Sequence, residues 1–370
     1  MNEYLSKKIK FLSFYAMIGV VFCHAYNYAD RFLQSTTVLT EGAMPGAMLQ
    51  FFISNALVRF AVPMYFAFSG YLFFVNFSFS WKGYLSKILK RLKTLVVPFL
   101  IWTSLAGGFL YIVYKLAGLE RYGIVYEKIS IALENGVWVW LFNSPAFQLW
   151  YLTDLFKLVL VSPMIYFLVK KCKLIPVVVF GILWVLEWSF FINYEGLFFF
   201  TLGAYLAVNK LWISGMKDLS EEMFDKEKYK SITKVLTVLW VAGCFSYALI
   251  SGTMAASPYV TYILLVLYKI NVLTGLASIW RRYDLKVGAW QEKKWVKNVI
   301  SCAVFVFFAH EPVQHLLTDV FLEKMVFNGA HTLIFFVLPM GLILVCTLLA
   351  VFLKKLCPKV YGILTGGRGL

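Results

Sequence analysis

The sequence predicts an all-α polytopic membrane protein, with about ten transmembrane helices and both termini in the cytoplasm. Three observations predict it. Hydrophobic residues make up 61% of the 370 and charged residues only 15%, and mean hydropathy is +0.75; a soluble domain carries roughly 25% charged residues. So much apolar surface cannot be hidden in a water-soluble core of this size. Second, the apolar residues come in runs close to the ~20 residues that one bilayer crossing needs. Third, Lys and Arg gather in short clusters between alternate runs, as topology signals do. No stretch reads as a soluble domain or a fixed-period repeat, so residues 1–370 read as a single transmembrane domain.

The runs follow in order. Residues 11–29 come after Lys7, Lys8 and Lys10, and no small-residue cleavage site follows them. Residues 52–77 carry Pro63 and a Ser69-Gly70 pair suited to close helix packing. The run 94–115 follows a basic stretch, and a polar region then leads to 147–169; within that region 134–142 is apolar but short, hence interfacial. Runs 174–191 and 195–211 precede a mixed-charge connector from Met216 to Lys230, which reads as a solvated link with a short helix. Runs 232–250, 258–280, 299–321 and 331–353 complete the set.

Charge sorting tests this count. With the N-terminus inside, the cytoplasmic segments hold 27 Lys and Arg, the opposite side holds 5 (Arg31, Lys115, Arg121, Lys128 and Lys324), and three lie within spans (Arg59, Lys157 and Lys269). An odd number of spans would destroy that asymmetry. The same clustering accounts for the net charge of +16 without a nucleic-acid partner, because a nucleic-acid binder concentrates its cations on one solvated face. The six cysteines are scattered, and no Cys/His spacing suggests a metal site or a redox pair.

Ionisable groups at bilayer depth mark function by default. His24 lies 14 residues beyond Lys10, about 21 Å at helical rise, and His310 lies 13 beyond Lys297, about 20 Å. Glu187, Lys157 and Lys269 fall roughly 18–21 Å from their own cytoplasmic anchors, with Glu311 and Asp154 near the same layer. The plain alternative is a set of buried ion pairs, Asp154 and Lys157 satisfying each other at i, i+3. Two histidines at matched depth, one followed by Glu311, instead suit a reaction centre in which neutral imidazole deprotonates a hydroxyl. Cys23 points about 100° away from His24 on a helix, which disfavours a Cys–His pair there.

The motifs also run in a familiar order. KIKFLSFYAMIGVVFCHAYN ends in His24; VRFAVPMYFAFSGYLFF holds Arg59, Pro63 and the Ser-Gly-Tyr-Leu stretch; KRLKTLVVPFLIW joins a basic run to Pro98 and Trp102. QLWYLTDLFKLVLVSPMIY, LFFFTLGAYLA and ISCAVFVFFAHEPV follow. Over nearly the whole chain this order resembles the acyltransferase-3 family of membrane acyltransferases, which O-acylate cell-surface carbohydrates from cytoplasmic acyl-CoA. The resemblance implies an O-acyltransferase of the bacterial inner membrane that moves an acetyl group from acetyl-CoA to a carbohydrate or glycolipid acceptor, with no permanently bound cofactor and no metal.

Carried over residue by residue, the resemblance makes His24 the base on the acceptor hydroxyl, with His310 and Glu311 orienting it or binding donor. Arg59 would hold an anionic or carbohydrate acceptor, with outward snorkelling as the plain alternative. Lys90, Arg91 and Lys93 would bind the CoA phosphates, or serve simply as positive-inside charge. Trp150 would stack on a sugar or belong to the interfacial aromatic belt. Two positions depart from the family pattern. Ser13 stands where an arginine is usual, which nominates Lys10 as the substitute cation, and Gln148 stands where a histidine often precedes the Leu-Trp segment. Two rival readings stay open: a transporter or exporter of a sugar or glycolipid, whose in-span prolines Pro63, Pro98, Pro163 and Pro312 would break helices at a transport site, and a family member that has lost its chemistry.

Overall fold

The computed structural model of the chain describes residues 3–28, 33–77, 79–189, 191–210, 226–286 and 293–369. Residues 216–225 of the mixed-charge connector, and Arg31, lie outside the described residues. Among the described residues there is no strand.

The helices, in chain order, are α1 (Glu3–Cys23), α2 (Pro45–Phe74), α3 (Trp81–Ala117), α4 (Gly123–Asn135), α5 (Phe147–Leu160), α6 (Ser162–Lys171), α7 (Ile175–Val185) and α8 (Tyr194–Val208). They continue as α9 (Lys226–Thr253), α10 (Pro258–Lys286), α11 (Lys294–Ala309), α12 (Val313–Lys324), α13 (Ala330–Leu356) and α14 (Pro358–Thr365).

Five of these, α2, α3, α9, α10 and α13, are long and apolar enough to cross a bilayer. Two further crossings arise if each bent pair counts as one span: α5 with α6, bent by 61°, and α11 with α12, bent by 71°. The three runs left over from the ten that hydropathy suggests are α1, α7 and α8. Glu3, Lys7, Lys8 and Lys10 occupy the first turns of α1, while α7 and α8 have only 11 and 15 residues. At ~1.5 Å per residue such short helices fall short of the ~30 Å hydrocarbon layer.

The chain divides into two compact units. Unit 1 comprises residues 1–83 and 160–300; unit 2 comprises 84–159 and 301–370. In unit 1, α2 and α8 cross backbone to backbone. A Cβ on Gly70 would run into the carbonyl of Phe200, and one on Gly203 would run into the carbonyl of Ala67. Only glycine permits this, and Phe66, Phe73, Phe74, Phe199 and Phe200 close fully around the crossing. Small residues that let backbones approach are how helices associate where no hydrophobic drive separates them from lipid. Helix α1 lays a core stripe of Leu5, Ile9, Leu12 and Ala16, at helical spacing, into the same unit.

Unit 2 packs α3 against α4 through Leu110, Val125 and Ile129. It packs α11 against α13 and α14 through Cys302, Phe305, Ala350 and Tyr361. Its C-terminal segment is seated on α3: Trp102 Nε1 donates to the Leu364 carbonyl at 3.0 Å, and a Cβ on Gly366 would meet the Thr94 carbonyl.

Candidate functional site

In unit 1 the end of α1 that carries His24 is held by polar groups of α2. Ser54 Oγ donates to the Phe22 carbonyl at 2.6 Å. Asn27 and Gln50 pair reciprocally: the Asn27 N–H reaches Gln50 Oε1 at 3.1 Å, and Gln50 Nε2 reaches Asn27 Oδ1 at 3.0 Å. All three side chains are buried. These contacts satisfy the polar groups at the helix end and leave His24 half-buried.

Arg59 follows a widened π turn over Phe52–Leu57, a feature that often re-aims residues at functional sites. Its Nη2 donates to the Leu33 carbonyl at 2.6 Å, while Nε is buried with no hydrogen-bond partner among the described residues. The guanidinium acts electrostatically on Tyr268, Cys23, Tyr247 and Glu195. The structure therefore brings Arg59 beside the residue adjacent to His24. Behind it Lys269 Nζ meets Glu187 Oε1 at 2.9 Å, with Ser35 Oγ donating to the same oxygen at 2.7 Å. Trp184, Tyr194 and Tyr268 surround that ammonium at 4.8, 4.9 and 5.4 Å.

Lys10 is exposed. The buried cation of α1 is instead Lys8, whose Nζ sits 2.7 Å from both Asp284 oxygens and 3.6 Å from the centre of the Trp280 ring. Tyr229 donates to the same carboxylate at 2.7 Å. Burial pushes the Lys8 ammonium down to about 8, although Asp284 pulls the other way. The backbone of Ser13 accepts a hydrogen bond from Tyr65. A cation that does act on this stretch of α1 is Arg282, in the field of Tyr15, its Nε donating to Thr237 Oγ1 at 2.9 Å.

In unit 2, Lys90 and Lys93 are exposed and Arg91 is half-buried. Arg91 lies in the electrostatic field of Tyr151. Arg368, on the seated C-terminal turn, shares that environment: burial and then the charge of Arg91 hold its guanidinium down to about 10, so it stays charged at neutral pH. Trp150, at the start of the regular part of α5, is half-buried.

The break between α11 and α12 forms the polar centre of unit 2. The Phe308 carbonyl would ordinarily accept from the N–H four residues on, but that residue is Pro312, which has none. Gln148 supplies the missing donor. It is 1% exposed, and its Nε2 reaches Phe308 O at 3.0 Å and Phe307 O at 3.3 Å. Backbone freed at membrane depth is tolerated only when re-satisfied in this way. His310 Nδ1 lies 3.1 Å from the Val306 carbonyl, within its own helix. Glu311 Oε2 lies 2.7 Å from His315 Nδ1, and both residues are buried. Asp154 and Lys157 pair at 2.7 Å, as their i, i+3 spacing predicts. Among the described residues no group of three or more His, Cys, Asp or Glu is arranged to hold a metal ion.

The polar groups expected at one depth thus fall into two sites, one in each unit. His24 and Arg59 both belong to unit 1, where Arg59 acts on the neighbouring Cys23, whereas Lys90, Arg91, Lys93, Trp150, His310 and Glu311 belong to unit 2. Sequence reasoning missed Gln50, Asn27, Ser54 and Lys8, the role of Gln148, and His315. For His315 the i, i+4 spacing from Glu311 was the available signal.

Comparison with curated proteins and with solved structures gives no match. A family model described as an acyltransferase domain matches residues 9–351, nearly the whole chain and both units. The chain belongs to the acyltransferase-3 family of membrane acyltransferases.

Proposed function

We propose that this protein is a membrane O-acyltransferase that moves an acetyl group from cytoplasmic acetyl-CoA to a hydroxyl of a cell-surface or lipid-linked carbohydrate, in a bacterial inner membrane with both termini inside. His24 removes the hydroxyl proton, directly or after taking the acyl group itself. Arg59 holds the acceptor or the developing oxyanion. Lys90, Arg91 and Lys93 draw in the phosphates of CoA, where the planar Arg91 offers paired donors that an ammonium lacks. Trp150 stacks on the acceptor sugar, and His310 and Glu311 belong to the donor side.

The observation that carries the reading is the fixed position of the His24 segment, with a half-buried guanidinium beside it. A base tied down by buried hydrogen bonds loses little freedom on reaching a transition state. The direct test is acetyl transfer by detergent-purified protein with radiolabelled acetyl-CoA and host membranes as acceptor source. Label moving into glycolipid or polysaccharide supports the reading; free acetate alone or no turnover speaks against it.

The bends of 61° and 71° favour one other reading, a sugar or glycolipid transporter built on broken helices. CoA separates the two. An acyltransferase gains thermal stability from CoA by mass action, and a sugar transporter does not.

A further inference from the structure

In unit 2 the residues that follow α14 form a turn held against two other helices. Gly366 and Gly369 have φ of 63° and 79°, the left-handed region that glycine alone enters without strain. Neither has room for a side chain. A Cβ on Gly366 would meet the Thr94 carbonyl of α3, and one on Gly369 would meet the Ser301 carbonyl of α11. The Gly367 N–H closes the turn on the Gly362 carbonyl at 2.6 Å, and Trp102 of α3 holds Leu364. The charged side chain that this turn carries is Arg368. A backbone seated so closely on both sides of it fixes where its guanidinium stands.

It stands beside another cation. Thr94, on which Gly366 rests, is one helical turn beyond Arg91, and α3 widens there into a π turn over Leu92–Val96, a feature frequent at functional sites. Burial, then the charge of Arg91, act against the Arg368 guanidinium, and Tyr151 acts for it. Arg91 lies in the field of the same Tyr151, and both arginines are half-buried. Lys354 adds a third positive charge at the seat, its Nζ donating to Ser301 Oγ at 2.8 Å. The segments that build this seat from α3, α13 and α14 bring no acid with them: the sequence has no Asp or Glu between Glu41 and Glu120 or after Glu323. Thr94 Oγ1 is buried with no hydrogen-bond partner among the described residues. Bringing like charges together away from water costs free energy, which an anion shared between them returns. Guanidinium forks match the oxygens of a phosphate, each with a pair of parallel donors.

We infer that Arg368 and Arg91 together clamp a phosphate group of the acyl donor's CoA, so that the turn after α14 completes the donor site. The inference rests on the acyltransferase reading given above, and it assigns a role to a residue beyond the stretch 9–351 that the family model matches. Arg368 takes no part in bond making or breaking. It holds the nucleotide end of the donor, where the ammonium groups of exposed Lys90 and Lys93 act only as point charges.

Donors with and without phosphate test this. Acetyl-CoA carries phosphates, whereas S-acetylpantetheine keeps the thioester and its arm and carries none. In the detergent-purified full chain, Arg368→Gln is expected to weaken CoA binding, read by calorimetry, about tenfold or more. The same variant is expected to raise KM for acetyl-CoA by a similar factor with kcat little changed, and to lower kcat/KM for S-acetylpantetheine by less than about threefold. Arg368→Lys keeps the charge but not the fork, and its loss of CoA affinity is expected to be smaller; it decides the matter if Arg368→Gln does not fold. Unchanged CoA affinity in the folded variant, or equal losses with both donors, would overturn the inference and leave the acyltransferase reading standing. So would a variant that keeps its CoA affinity but loses thermal stabilisation by added dioleoylphosphatidylglycerol, since the pair would then hold a lipid phosphate. Wild-type protein that neither binds CoA nor transfers acetyl from either donor overturns the acyltransferase reading, and this inference with it.

Discussion

The two units treat buried charge in different ways. Unit 1 uses it as stitching: Asp284 gathers Lys8 and Tyr4 from α1 and Tyr229 from α9, and Glu187 gathers Lys269 and Ser35. Unit 2 pairs its buried charge locally, Asp154 with Lys157 across i, i+3 and Glu311 with His315 across a single turn at the helix break, where Gln148 mends the backbone. A buried charge that links distant segments is accounted for by architecture. Arg59 of unit 1 belongs with the chemistry, since its Nε is buried with no hydrogen-bond partner among the described residues.

Substitutions can break or sharpen this contrast. The largest effect is expected at the glycine crossing. Gly70→Leu or Gly203→Leu forces α2 and α8 apart, and overpacking of about 3 kcal/mol or more should abolish recovery of monodisperse protein in detergent. Next comes the stitching of unit 1. Asp284→Asn strands a buried ammonium, costing about 3–5 kcal/mol, and should lower the apparent melting temperature sharply; Lys8→Met together with Asp284→Leu should recover much of that loss, because two apolar side chains can replace a buried pair. A full loss retained in the double variant would show that the carboxylate matters mainly through Tyr4 and Tyr229.

Gln148→Leu comes third. It removes the donor to the Phe308 carbonyl, at about 1–3 kcal/mol, and Gln148→Glu should fare no better because it lacks the donor; thermal melts check both. The smallest effects belong to the basic run. Lys90→Ala and Lys93→Ala, both exposed, should raise KM for acetyl-CoA by less than about threefold, while half-buried Arg91→Ala should raise it about tenfold or more, since charge-assisted phosphate bonds are worth ~1.5–3 kcal/mol each. Equal effects of all three would mean a diffuse field rather than a specific contact.

Much of this was legible in the sequence. Composition and charge sorting establish a helical membrane protein, the Ser69-Gly70 pair marks the α2–α8 crossing, and i, i+3 spacing pairs Asp154 with Lys157. What was not legible has physical reasons. Hydropathy reads an 11-residue apolar helix such as α7 much as it reads a full crossing, because flanking apolar loop residues lengthen the run. Gln50 and Asn27 are neutral and 23 residues apart, and no local pattern announces a reciprocal amide pair. Lys8 was readable: it falls between Leu5 and Leu12 on the buried stripe of α1, where Lys10 does not. His315 was not legible because the 71° bend at Pro312 makes depth a poor guide beyond it.

The most direct test of the account is acetyl transfer from radiolabelled acetyl-CoA by wild-type protein beside His24→Ala, each shown to be folded by thermal melt and gel filtration. The account predicts transfer by the wild type and a fall in kcat of about 10²–10⁴-fold in His24→Ala, with CoA still stabilising the variant. Undiminished turnover in a folded His24→Ala protein would contradict it and remove the base from unit 1.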